Sequence, residues 1–307
     1  MPPCTTWHEP VARSTRLRDA IADRLAAQWI ALGCQLAGPA ETDVVDIEAL
    51  IGATTTLDRA EDARVREAGV DWCVAFGHAV SVSRLKTVAR EMEVAGNPLA
   101  RFSADVAVSG GPLWPFAAGR QGQRIARVKV LVRDLAGPPR LVWRLRSAFG
   151  VNARADIVAV LLADPNGALT IADLARATRF TKRNVAVAVD SLRLAGIVEV
   201  GRTQNRDRVS LPEASPFRSW LALPRARAPL DWVARWHVAL ATAALLDTTE
   251  AASEQVRLVE ARASVERLAA EIARARLPRP DLARVGPAFL GAYDEWVEEI
   301  AGTLVVS

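Results

Sequence analysis

Residues 149–163 read Phe-Gly-Val-Asn-Ala-Arg-Ala-Asp-Ile-Val-Ala-Val-Leu-Leu-Ala, and residues 169–178 read Leu-Thr-Ile-Ala-Asp-Leu-Ala-Arg-Ala-Thr. Residues 181–200 follow as Thr-Lys-Arg-Asn-Val-Ala-Val-Ala-Val-Asp-Ser-Leu-Arg-Leu-Ala-Gly-Ile-Val-Glu-Val, and 208–211 as Arg-Val-Ser-Leu. Ala153, Ile157, Val160 and Leu161 recur at helical spacing and predict a helix with an apolar stripe. Asp164-Pro165-Asn166-Gly167 cannot continue it, because proline lacks an amide donor and asparagine and glycine favour turns. Thr170 is placed as an N-cap with Asp173 three residues on, opening a short helix whose inner face is Ile171, Leu174 and Ala175. Arg179-Phe180 makes a turn. Thr181 caps a further helix with Val185, Ala188, Val189 and Leu192 inside, and Gly196 stands where a left-handed cap ends it. Residues 197–200 alternate as a strand, 201–207 form a polar loop, and 208–211 return as a second strand.

This succession resembles the winged helix-turn-helix of bacterial transcription regulators, and the module is similar to those of the MarR and ArsR families. The resemblance covers roughly a fifth of the chain. It implies that the helix opened by Thr181 enters the major groove of double-stranded DNA with its N-terminal residues against base edges. Those residues are Thr181, Lys182, Arg183 and Asn184; Arg and Asn pair bidentately with guanine and adenine edges. Thr170, at the start of the preceding helix, joins the expected DNA-facing set. Arg202, Arg206 and Arg208 lie on or beside the wing, suited to backbone or minor-groove contact. Winged helices also serve as protein-interaction modules, in antitoxins and chromosome-maintenance scaffolds, so that reading stands as the alternative.

Charge agrees with a phosphate binder. From Arg140 to Pro212 there are twelve Arg or Lys against six Asp or Glu, a local +6 in a chain whose total is +4. Only three of the basic residues in the whole chain are lysines (Lys86, Lys129, Lys182), so arginine abundance is general and its local excess is the informative part.

The 307 residues suffice for two or three domains, and a half-apolar, alanine-rich composition with few β-branched runs predicts a mainly α protein with a small hairpin wing. The expected division is a flexible tail (1–12), an N-terminal helical domain (13–108), a linker (109–123), the winged module (124–212), a second linker (213–229) and a C-terminal helical domain (230–307). In the first helical block, Leu17, Ile21, Leu25 and Trp29 form a stripe, Asp46 caps a second helix, and Ser81 caps a further one. Residues 124–146 read as a helix joining the module. In the last block, Leu258, Ala261, Val265, Leu268 and Ile272 are spaced 3, 4, 3, 4, a seam over two heptads. Either it packs inside its own domain or it joins two copies in a homodimer.

The chemistry of an enzyme is missing. Ser109-Gly-Gly-Pro lacks the spacing and the Lys-Ser/Thr of a nucleotide loop. His8, His78 and His237 share no ligand spacing, and Cys4, Cys34 and Cys73 neither pair nor suggest a metal. Asp43, Asp46 and Glu48 fit a helix start better than a divalent-ion site. No cofactor, no metal and no catalytic residue is therefore expected. The most apolar stretch, 232–246, contains Arg235 and His237 and is too short to span a bilayer, so no membrane partner is expected. With no secretory leader at Met1–Glu9, the expected setting is the cytoplasm. Nine tryptophans are spread over all segments. Trp232 and Trp236, one turn apart, either pack in a core or line a cavity for a small-molecule effector.

Overall fold

The computed structural model describes residues 13–57, 62–94, 96–125, 128–163, 168–203, 206–212 and 230–305. The expected tail (1–12) and second linker (213–229) lie outside the described residues. The chain is mainly helical with one small antiparallel sheet. Five helices come first: α1 (Arg13–Ala31), α2 (Ile47–Thr54), α3 (Ala63–Phe76), α4 (Val82–Glu91) and α5 (Asn97–Val108). Then come α6 (Leu141–Phe149), α7 (Ala153–Ala163), α8 (Ile171–Thr178), α9 (Lys182–Leu194) and the strands β1 (Glu199–Thr203) and β2 (Arg206–Ser210). Last are α10 (Trp232–Thr249), α11 (Glu254–Arg267), α12 (Ala269–Ala275) and α13 (Pro287–Leu304).

Two apolar cores organise these elements. The larger takes in the first five helices and the last four. Its centre is α2, buried from Ile47 to Thr54, where even Thr54 is used: its hydroxyl accepts the Trp29 indole N–H at 3.0 Å. Helix α1 lies against α13, with Arg13 paired to Asp294 at 2.6 Å, and α10 closes on α1 through Arg24, whose guanidinium stacks 5.0 Å from the Trp232 ring centre. The helical blocks that the sequence places on either side of the module thus share one interior.

The smaller core belongs to residues 141–211. Helix α7 runs through it with Ala155, Ile157, Val158 and Leu161 all buried, more than the single stripe its sequence suggests. Helix α6 serves both cores. Leu141 and Leu145 enter the smaller one, while Trp143 enters the larger and meets Trp72 edge-on at 5.1 Å.

Four expectations change. Residues 128–137 contain no helix; α6 starts only at Leu141. Instead Cys34 and Val130 form an antiparallel bridge, and Leu131 donates to the Gly33 carbonyl at 2.8 Å. Gly33 has φ +106°, and a Cβ there would stand 2.8 Å from the Leu131 oxygen, so only glycine admits this close approach. The expected linker at 109–123 is packed in place: Trp114 is buried, and a Cβ on Gly122 would overlap the Ala104 carbonyl. Finally, the seam of 258–272 spans two helices, broken where Leu268 leaves helical geometry, and Ala261, Val265, Leu268 and Ile272 are buried in the chain's own larger core. It is an intramolecular seam, so a homodimer would need another surface. Ser81, expected to cap α4, makes no cap bond; its backbone N–H goes to Glu48 at 2.8 Å.

Because the seam is internal, Leu268→Ala is expected to lower the unfolding free energy by about 2–5 kcal/mol without changing the sedimentation coefficient. A variant of unchanged stability but altered association state would put that seam between copies.

Candidate nucleic-acid interface

Helix α8 opens with a complete capping box. The Thr170 hydroxyl accepts the Asp173 N–H at 3.2 Å and donates to the Asp173 carboxylate at 2.6 Å, and that carboxylate accepts the Thr170 N–H at 3.2 Å. The Thr170 hydroxyl bond holds the Asp173 pKa below its usual range. Thr170 is thus occupied as a cap.

The turn into α9 rests on Arg179, in the left-handed region at φ 58° and ψ 22°. A side chain there costs roughly 1–2 kcal/mol, and its surroundings offset that cost. The guanidinium makes two bonds to Asp231 at 2.7 and 2.8 Å and contacts Glu91 at 3.3 and 3.4 Å. Asp231 is itself the N-cap of α10, so the turn is fastened to α4 and α10 together. From α4, Arg84 donates to the Thr178 carbonyl at 2.8 Å, satisfying the end of α8.

Helix α9 is capped by Thr181, whose hydroxyl accepts the Asn184 N–H at 3.2 Å. Val185, Ala188, Val189 and Leu192 are buried as expected. Thr181, Lys182, Arg183 and Asn184 are all exposed at the positive end of the helix. Arg183 and Asn184 also border an open groove of about 500 Å³ whose polar lining includes Ser81, Ser83, Asn152 and Arg154. Arg154 donates to the Asn152 side chain at 3.2 Å and the Phe149 carbonyl at 3.3 Å, both neutral. No sequence pattern points to the serines or to Arg154, since they come from helix starts distant along the chain. Along the outward side of α9, Val187 (65% exposed) and Leu194 (80% exposed) stand two turns apart.

Strands β1 and β2 pair Val200 with Val209, Gly201 with Arg208 and Arg202 with Asp207, and a bridge from Leu169 to Val209 ties the hairpin to the start of α8. Arg202 and Arg206 are exposed. Arg208 is half-buried and donates to the Ala168 carbonyl at 3.0 Å, so it anchors the hairpin.

Behind this surface lies a charge cluster that the sequence did not disclose. Arg146 and Glu48, both fully buried, form a two-pronged pair at 2.6 and 2.8 Å. Arg146 also holds Asp156 at 3.1 Å and donates to the Ala79 carbonyl at 2.9 Å. Arg84 bridges Glu48 at 2.5 Å and Asp46 at 2.6 and 2.7 Å. Burial pushes the acids up, but Arg84 overcomes it at Asp46, and Arg146 with Arg84 overcomes it at Glu48, so both pKa values lie low. At Asp156 burial wins, and its pKa is raised. Asp46 and Glu48 are thus ion-pair partners at a helix start, with Asp46 capping α2. Of the arginines behind the local +6, Arg146 and Arg179 are taken up by carboxylates on other helices and lend nothing to an outer surface.

Among the described residues no group of three or more His, Cys, Asp or Glu is placed to hold a metal ion, and no helix is long and apolar enough to cross a membrane. Cys34 and Cys73 are buried free thiols, and burial pushes the Cys34 thiol up to about 12. Comparison with family models, with curated proteins and with solved structures returned no match.

Removing one partner of a buried pair strands the other, so Glu48→Gln is expected to cost about 3–5 kcal/mol of stability, read by denaturant unfolding. The pH dependence has two signs. Lowered pKa values at Asp46 and Glu48 contribute stability that is complete above the ordinary values of 3.8 and 4.5 and is lost as pH falls through the folded values. The raised value at Asp156 contributes stability below its ordinary 3.8, lost as pH rises through its folded value. Stability should therefore fall on acidification below pH 4.5, and Asp156→Asn should steepen the pH slope just above 3.8. An unchanged slope would remove Asp156 from this balance.

Proposed function

We propose that the protein is a DNA-binding transcriptional regulator whose α7–α9 and β1–β2 form a winged helix-turn-helix, with α9 as the recognition helix. The observation that carries the reading is the capped N-terminus of α9: Thr181, Lys182, Arg183 and Asn184 are exposed together while the opposite side of the helix is buried. Arg183 supplies two donors for a guanine edge, Asn184 a donor and an acceptor for an adenine edge, and the exposed Val187, one turn on from Arg183, offers an apolar contact for a thymine methyl. Arg202 and Arg206 on the hairpin supply charge for phosphates. Thr170 and Arg208 act as supports, one for the start of α8 and one for the base of the wing.

A second reading, a protein-interaction module, is favoured by one observation: Val187 and Leu194 leave an apolar stripe on the outward side of α9. Salt separates the two. DNA binding through phosphates weakens steeply with ionic strength, whereas an apolar contact does not.

On a binding site selected from random duplexes, Arg183→Ala is expected to cost about 1–3 kcal/mol and to relax base preference, and Asn184→Ala to do the same at a neighbouring base pair. Replacing Arg202 and Arg206 should reduce the slope of log affinity against log salt by roughly one for each phosphate no longer neutralised. Arg208→Ala should act mainly through stability of the hairpin. If no duplex is bound at any salt concentration, the regulator reading fails and the protein-interaction reading takes its place.

A further inference from the structure

A cavity of about 150 Å³ lies where α8 ends and the two cores meet. Its walls are mostly apolar: Val44, Val142, Ala159, Val160, Ala177 and the Trp232 ring. A hydrophobic cavity of roughly this volume is known to admit a benzene-sized molecule. Charged groups complete the lining. Asp46, Arg84 and Asp156 stand on one side, and Arg179 and Asp231 on the other.

The charges do not balance. On one side Arg179 pairs with Asp231 and Glu91, and Arg274 reaches Glu91 at 2.8 Å and Glu271 at 3.2 Å. In the other cluster, Asp46, Glu48 and Asp156 share the guanidiniums of Arg84 and Arg146. Three carboxylates thus meet two cations. Asp46 and Asp156 both border the cavity; Asp46 is held by both terminal nitrogens of Arg84, whereas Asp156, beside Ala159 and Val160, takes its bonds from Arg146, whose fork is already closed on Glu48. Burial keeps its pKa raised even against the pull of Arg146 and Arg84.

We propose that this cavity is a binding site for a small organic amine with an aromatic or branched apolar body, its ammonium held beside Asp156. The body would fill the space between Val142, Val160 and Trp232, and the ammonium would be the third cation for three carboxylates. An anionic ligand of the same shape would meet the excess negative charge. The occupant would touch Thr178 and Arg179, the end and C-cap of α8, just before the turn into α9. Its influence on DNA rests on the proposed function; binding of the amine does not.

The test is calorimetric titration of the full chain with benzylamine, benzyl alcohol and benzoate, which share a body and differ in charge. Benzylamine is expected to bind saturably, about tenfold or more tighter than benzyl alcohol, and benzoate least. Ala177→Leu and Val160→Phe, both at half-buried positions, fill the space and should abolish binding, with circular dichroism and unfolding midpoints reporting that each variant is folded. Asp156→Asn should erase the preference for benzylamine over benzyl alcohol. The proposal is overturned if none of the three probes saturates, if benzoate binds tightest, or if a folded cavity-filling variant binds benzylamine as the parent does.

Discussion

The buried pair of Glu48 and Arg146 is the constraint on which the rest of the arrangement depends. Neither group can stay charged in an apolar interior without partners on several sides, because desolvation of each ion costs several kcal/mol even after the surroundings relax. Partners come from all around. Glu48 takes two bonds from Arg146, one from Arg84 and one from the Ser81 amide; Arg146 adds Asp156 and the Ala79 carbonyl. These groups sit on α2, α4, α6, α7 and the turn before α4. A cluster satisfied only when five segments are in place fixes their mutual geometry more strongly than apolar contact, which tolerates small slides.

The same cluster reaches the end of α8 through Arg84. One end of that guanidinium holds Asp46 and Glu48, and its Nε holds the last carbonyl of α8. Arg179, in a backbone conformation that arginine adopts at a cost, is held from the other side by α4 and α10. The start of α9 is therefore positioned by the helical body and not by its own module alone. That dependence gives a physical reason for the long flanks: they set the direction in which Lys182, Arg183 and Asn184 point.

Helix α6 joins the two cores by dividing its faces. Leu141 and Leu145 serve the smaller core and Trp143 the larger, while Arg146 on the last turn enters the charge cluster between them. Where the two cores and the cluster meet, apolar and charged groups line the same space, and close packing is incomplete.

Local pattern was legible in the sequence. Thr170 with Asp173, Thr181, Asp46 and the inner face of α9 follow from short-range rules, because a cap or an amphipathic stripe is decided within a few residues. Exposure of Lys182, Arg183 and Asn184 follows from the same periodicity. What the sequence left open was every question of partnership across distance. Glu48 reads as a helix-start acid until Arg146, ninety-eight positions away, is brought to it. Arg208 reads as a wing cation until its bond to the Ala168 carbonyl is seen, and the 258–272 seam suits another copy as well as its own core. Residues 128–137 show the limit from the other side, since their non-helical path lies against Gly33 and Cys34, which Leu131 and Val130 meet. Short-range rules were enough for the mainly helical class, the caps at Asp46, Thr170 and Thr181, and the outward residues of α9. Tertiary structure alone decided which charges are spent inside, because burial and pairing depend on neighbours that only folding assembles.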